Sequence, residues 1–399
     1  MNLTYAILAL VAVSFVISWT GTFAMKRLAL RIGFVDKPGG RKIHANPKAL
    51  GGGVAIFLGF ALPVLAGLAV VHLHDAPSIS LSASAGRPSL VPAYWSGIRE
   101  RTPVALEMLA AALLMHVLGL IDDRKALGPY FKLFVQLSII TGLVFLNPEV
   151  RALTFLNRPG WYELPSIVVT VLWIGAITNA FNFLDNMDGL SAGVAAVCTT
   201  AFLVAALSIQ QWFVAASLAL LLGALLGFLC FNFSPATIFM GDSGSLLIGL
   251  LLGSLTVRTT YLQPGEKLGA GWYSIFAPVI VLAVPLYDLV VVSTIRLLRG
   301  KSPFVGDTNH FSHRLVARGM SRRTAVLCLY LISAATAIAA IILAHAASTF
   351  VAILVFVQTL LILGVVMLLE QHPLPTPAES KPAQPRRAES EKPAELVQK

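Results

Sequence analysis

Charge is what this sequence has least of. Only 12% of its 399 residues are Asp, Glu, Lys or Arg, about half the share of an ordinary soluble domain. That excludes a water-soluble globule. The net charge of +10 sits in a few short segments, which suits membrane topology and phosphate handling rather than nucleic acid. Cysteine is scarce too. Cys198, Cys230 and Cys328 lie in apolar runs without metal-ligand spacing, which argues against both zinc and a structural disulfide. Residues 1–25 carry no charge, so the first apolar run lacks the basic head of a secretory leader and reads as a span. No internal repeat is visible, which weighs against the inverted-repeat plan of many transporters.

What is abundant is apolar sequence: 57% of residues are hydrophobic and the mean hydropathy is +0.80. Long uninterrupted runs argue for helices rather than a barrel. They fall near 3–24, 51–73, 103–121, 128–147, 164–180, 190–208, 211–232, 242–258, 272–295, 324–345 and 348–369. The pattern predicts an all-α, polytopic membrane protein with about eleven transmembrane helices, ten at the fewest. Eleven spans put the termini on opposite sides. Segments on one side then carry 22 Lys and Arg against seven on the other. The positive-inside rule places the N-terminus outside and the C-terminus in the cytoplasm. Residues 1–370 read as one transmembrane domain with cytoplasmic loops. Residues 74–100 read as an outside loop, and 371–399, rich in Pro, Glu, Lys and Ala, as a disordered cytoplasmic tail.

Polar residues cluster on the side assigned to the cytoplasm. The first loop runs Asp36-Lys-Pro38-Gly-Gly-Arg41-Lys42-Ile-His44, with Gly51-Gly52-Gly53 opening the second helix. It reads as an anion site or as an ordinary basic loop. Asp122-Asp123-Arg124-Lys125 ends the third run. Adjacent carboxylates in a partly dry site take up a proton or hold a hydrated metal, whereas in water they are only a solvated helix end. Asn179-Ala-Phe-Asn182-Phe-Leu-Asp185-Asn-Met-Asp188-Gly189 stands between two uncharged stretches. It reads as a turn or as a ligand-binding segment. Asn232 precedes Gly241-Asp242-Ser243-Gly244-Ser245, whose backbone N–H groups suit phosphate and whose Asp242 suits magnesium; helix capping is the competing reading. The last loop holds Arg296, Arg299, Lys301, His310, His313 and Arg314, a set suited to pyrophosphate. Asp288, eight residues before Arg296, reads as its structural ion-pair partner, with room for a bridging water.

Together these motifs resemble the polyprenyl-phosphate N-acetylhexosamine-1-phosphate transferases of bacterial envelope synthesis. The resemblance spans nearly all of residues 3–369 with the motifs in family order. It implies transfer of a sugar 1-phosphate, most readily N-acetylglucosamine 1-phosphate, from a UDP-sugar to undecaprenyl phosphate with release of UMP. It implies a multi-pass protein of the bacterial inner membrane, with the bilayer and the lipid phosphate as partners, no nucleic acid, and room for a homodimer. Asn182 and Asp242 match the ligands of magnesium, for which manganese is a substitute. Asp122 and Asp123 match the catalytic pair at the lipid phosphate. Lys42, His44, Lys125, Asn179, Asp185, Asp188, Asn232, His310, His313 and Arg314 match substrate-binding positions. One position departs: Ser312 stands where N-acetylglucosamine-type relatives commonly have a third histidine. The muramoyl-pentapeptide branch remains an alternative, and a membrane transporter or a silent scaffold are alternatives of other classes.

Overall fold

The computed structural model describes residues 3–36, 47–74, 91–153, 163–259, 275–303, 309–344 and 348–371. The chain forms α1 (Leu3–Ile32), a two-residue antiparallel hairpin of β1 (Val35–Asp36) and β2 (Lys48–Ala49), α2 (Gly52–Leu73), α3 (Val91–Glu100), α4 (Thr102–Arg124), α5 (Pro129–Leu146), α6 (Leu164–Leu184), α7 (Leu190–Ser208), α8 (Trp212–Asn232), α9 (Asp242–Arg258), α10 (Ala277–Val281), α11 (Ala283–Leu298), α12 (Phe311–Ala317), α13 (Arg322–Ala344) and α14 (Thr349–Gln371). The fold is all-α and polytopic. Among the described residues nine helices are long and apolar enough to cross a membrane: α1, α2, α4 to α8, α13 and α14. The two other predicted runs are also helical but differ in detail.

The run at 242–258 becomes α9, with 17 residues, and it is the core of the bundle. Every residue from Ser243 to Thr256 is buried. Its uniform apolarity has no lipid-facing purpose, because α9 packs on α2, α4 and α6. Close approach is the driving force where lipid is as apolar as leucine. At Gly119 of α4, a Cβ would run into the backbone of Asp242 and Ser243. Glycine there lets α4 lie against the first turn of α9.

The run at 272–295 does not form one helix. Its described part breaks at Leu282 into α10 and α11. Pro285 lacks the N–H that would reach back to Val281, and its ring crowds that carbonyl. A second difference is α3, a helix in the stretch whose sequence suggests only a loop. Pro92 suits a first helical turn. Trp95 and Arg99, four residues apart on one face, donate to the carbonyls that end α2. Trp95 reaches Val71 and His74 at 3.2 and 3.3 Å, and Arg99 reaches them at 3.0 and 3.2 Å.

Buried hydroxyls join helices elsewhere. Ser14 and Ser18 of α1 donate to the carbonyls of Leu220 and Ala224 in α8, at 2.5 and 2.7 Å. One end of the bundle gathers the polar segments 122–127, 182–189, 232–245, 288–303 and 309–314. Ion pairs of Glu149 with Arg101 and Arg258, and of Arg151 with Glu163, belong to the other.

Candidate active site

Gly241 begins the site. Its φ of 75° is open to glycine at little cost, and it turns the chain sharply into α9. The incoming segment is pinned first. Phe239 donates to the Ala49 carbonyl at 2.8 Å, and Gly52 and Gly53 donate to Phe239 and Met240 at 2.9 and 3.1 Å. The hairpin stem and the start of α2 therefore brace the peptide that leads to Asp242.

A helix start presents N–H groups without intrahelical partners. At α9 these are taken by protein carboxylates. Asp123 accepts from Asp242 N at 2.7 Å with one oxygen and from Ser243 N at 3.1 Å with the other. Gly244 N and Ser245 N turn back to the Gly241 carbonyl, both at 3.1 Å. The seat that the sequence suggests for phosphate is thus filled by Asp123, an anion that also offsets the positive end of the helix dipole.

Asp122 points elsewhere. One oxygen accepts from Leu127 N at 2.5 Å, and the other pairs with Lys132 at 2.9 Å. Lys132 also pairs with Asp242. A single ammonium on α5 therefore joins two carboxylates from α4 and α9. Asn182, in the last turn of α6, donates to Asp242 at 2.9 Å and to Ser245 at 3.0 Å. The four residues assigned from sequence to catalysis and metal meet at Asp242: Asn182 and Lys132 reach its carboxylate, Asp123 takes its N–H, and Asp122 joins through Lys132. Lys132 and Ser245 were not among the expected site residues. The signal for Lys132 is faint but present: it is the one charged side chain in the run at 128–147.

The other expected residues fall into separate groups. Asp185 neighbours the cluster by accepting from Gly241 N. Its carboxyl is raised to about 8, by burial first and then by the Asp123 and Asp188 charges, against the opposing hydrogen bond from Gly241. Asp188 accepts from Ala236 N at 2.9 Å and lies 3.6 Å from the Lys48 ammonium. Asn232 is buried, taking Gly189 N at 3.0 Å and donating to the Ile238 carbonyl at 2.9 Å. Its amide clamps two backbone segments. Asn179 sits one turn deeper than Asn182 and donates to Gln136 and to the Gly175 carbonyl, at 3.1 and 2.8 Å. Lys125 is exposed and makes no polar side-chain contact among the described residues. Lys42 and His44 lie outside the described residues.

The histidine loop docks on the corner after α6. His310 is buried between Asp288 and Arg296, and its ring meets Phe183 edge-on at 5.7 Å. The expected Asp288–Arg296 pair is therefore bridged by an imidazole rather than by water. Ser312 is buried and donates to Asn186 at 2.5 Å. It holds the loop to the Asp185–Asp188 corner. His313 and Arg314 are half-buried, and Arg314 donates to the Asn309 carbonyl.

The donor chemistry at Lys132 fits a hard divalent cation. Hydrogen-bonded carboxylate and amide groups converge there, and the position already holds one positive charge. Among the described residues no three His, Cys, Asp or Glu side chains form a metal-binding group. Magnesium needs no such set, since it takes one or two protein carboxylates and completes its shell with water and substrate phosphate.

Comparison with known proteins agrees with this arrangement. The model of glycosyl transferase family 4 matches residues 105–260, a stretch that contains every residue of the Lys132 cluster. A probable undecaprenyl-phosphate N-acetylglucosaminyl 1-phosphate transferase of Bacillus subtilis is 34% identical over 327 residues, covering 81% of this chain and 80% of the relative. A decaprenyl-phosphate N-acetylglucosaminephosphotransferase of Mycolicibacterium smegmatis is 32% identical, over 79% of this chain and 77% of its own. The undecaprenyl-phosphate alpha-N-acetylglucosaminyl 1-phosphate transferase of Escherichia coli K12 is 26% identical, over 78% and 77%. With a membrane bundle, a polar cluster at one end and relatives matched over four-fifths of its length, the chain belongs to glycosyl transferase family 4, in the branch of the undecaprenyl-phosphate N-acetylglucosaminyl 1-phosphate transferases.

Proposed function

We propose that this membrane phosphotransferase moves N-acetylglucosamine 1-phosphate from UDP-N-acetylglucosamine to undecaprenyl phosphate, releasing UMP, at the cytoplasmic face of a bacterial inner membrane. The observation that carries the proposal is the convergence on Asp242 of Asn182, Asp123 and Lys132, with Lys132 tying Asp122 to the same carboxylate, at one end of an apolar bundle. The relatives' names supply the lipid phosphate and the transferred sugar phosphate; the UDP donor follows from the family resemblance.

In this reading an oxygen of the lipid phosphate attacks the β-phosphorus of the donor. The bond from that phosphorus to the bridging oxygen breaks, and UMP leaves with that oxygen and its electron pair. Both reactants are anions, so charge compensation and alignment carry most of the rate. Asp242 and Asn182 would hold magnesium, or manganese in its place, and the bound cation would offset charge on the donor pyrophosphate and on departing UMP. Asp123 fixes the start of α9 and with it the Asp242 carboxylate. Lys132 spaces Asp122 from Asp242 and supplies a positive charge where phosphates meet. Asp185 and Asp188 shape the donor side, with Asn232 holding their loop in place. His313 and Arg314 bind donor phosphates, joined by Lys42 and His44.

The test is purified protein with undecaprenyl phosphate, magnesium and a panel of UDP-sugars, scored for UMP. Release with UDP-N-acetylglucosamine is expected. UMP from UDP-N-acetylmuramoyl-pentapeptide alone would move the chain to the other branch, and no UMP from any donor would overturn the reading.

A further inference from the structure

Asp288 lies in α11 with no accessible surface. A carboxylate at that depth is costly unless both oxygens are satisfied. Both are. One accepts from the Phe311 backbone N–H at 2.7 Å, and the other lies 2.8 Å from Nδ1 of His310. A carboxylate only accepts, so Nδ1 carries the proton. The far ring nitrogen, Nε2, is 3.4 Å from a guanidinium nitrogen of Arg296. A guanidinium only donates, so Nε2 accepts there. His310 thus bridges the buried Asp288 carboxylate and the buried Arg296 guanidinium, with both nitrogens engaged inside the protein.

The ends of this chain of contacts reach the site. Phe311 opens α12, so Asp288 caps that helix from α11 and fixes where His313 and Arg314 project within its first turn. Arg296 donates to the Pro303 carbonyl at 2.6 Å, and its guanidinium lies 4.9 Å from the Phe183 ring centre. Phe183 follows Asn182 directly.

We propose that Asp288 is a positioning residue for donor binding, acting through His310 and the Phe311 N–H to set the anion-binding side chains of the last loop against the Asn182–Asp242 corner. The proposal rests on the transferase reading. It moves His310 from phosphate ligand to support and keeps His313, half-buried on the same short helix, in the substrate-binding role.

The experiment uses the full-length protein purified in detergent, with UDP-N-acetylglucosamine and undecaprenyl phosphate varied in turn. Asp288→Ala is expected to raise KM for UDP-N-acetylglucosamine by about tenfold or more, the usual penalty for losing a supporting partner. KM for undecaprenyl phosphate should stay within about twofold, because the disturbed loop does not carry the Asp122–Lys132 pair. His310→Asn keeps an N–H near the Nδ1 position and should recover most of the activity lost in His310→Ala, whereas His310→Gln should not. The Asp288→Ala/His310→Ala double variant should be no worse than the worse single variant, as expected of residues acting as one unit. Should Asp288→Ala fail to fold, Asp288→Asn removes the charge, keeps an acceptor for Phe311 N–H and serves in its place. An unchanged donor KM, an equal rise in both KM values, multiplicative losses in the double variant, or better rescue by Gln than by Asn would each overturn the proposal. Wild-type protein that releases no UMP would instead overturn the transferase reading, so the two failures are told apart.

Discussion

Asp123 lies beside Asp242 as a cap rather than as a rival charge. Its oxygens sit 2.7 Å from Asp242 N and 3.1 Å from Ser243 N, and the Asp242 carboxylate is turned toward Lys132 and Asn182. Two acidic residues from helices 119 positions apart in sequence are therefore compatible within one site. One neutralises the helix end and the other faces Lys132 and Asn182.

The cap predicts a split between variants at Asp123. Asp123→Ala strands two N–H donors and should cost about 1–2 kcal/mol of stability, the range for a lost N-cap, together with turnover. Asp123→Asn keeps one acceptor and should lose less of both. Thermal unfolding in detergent beside a UMP assay measures the split. Equal losses in the two variants would reject the capping role.

Lys132 predicts a strong effect from a residue outside every named motif. In Lys132→Met, Asp122 and Asp242 lose the ammonium they share. Turnover should fall about 100-fold, the scale for removing one electrostatic group from a preorganised site. The emptied carboxylates should bind divalent cation more tightly. Manganese binding followed by electron paramagnetic resonance reads that change without relying on activity. Weaker manganese binding would contradict the shared-cation arrangement.

Asp185 sets a pH dependence whose sign is fixed. Its carboxyl is raised to about 8 in the fold, above the roughly 3.9 of an unfolded chain. The native state therefore holds a proton that the unfolded state releases. Its contribution is complete below pH 4 and is lost as pH rises toward and past 8. In metal-free buffer the wild-type unfolding midpoint should fall between pH 6 and pH 9. Asp185→Asn, neutral throughout, should flatten that fall. Parallel pH curves for the two proteins would refute the assignment.

Ser312 predicts the outcome of restoring the missing histidine. The hydroxyl is buried against Asn186, so a larger imidazole must displace that contact. Ser312→His should lower thermal stability and raise KM for the donor. Higher activity in Ser312→His would show that the loop turns this position outward.

Much of this molecule is legible from composition alone. Membrane residence, helical class and the order of the polar segments follow from apolar length and sparse charge, because the bilayer demands long runs with internally satisfied backbones. Asp122, Asp123, Asn182 and Asp242 are conspicuous for the same reason: charge and amide stand out against an apolar background. Departures arise where a local signal competes with packing. Pro285 breaks a run whose hydropathy alone predicts one helix. Trp95 and Arg99 give 91–100 a docking face that its mixed composition hides.

Tertiary structure alone decided the division of labour. In lipid, a core helix and a lipid-facing helix share one composition, so the central place of α9 is invisible in its residues. Neighbours in sequence also take opposite roles once helices pack. Asp122 turns to Lys132 and Asp123 to the head of α9; His310 turns inward to Asp288 and leaves His313 half-buried. Hydropathy is a property of each segment by itself, whereas a hydrogen bond or an ion pair exists only between segments that packing has brought within about 3 Å.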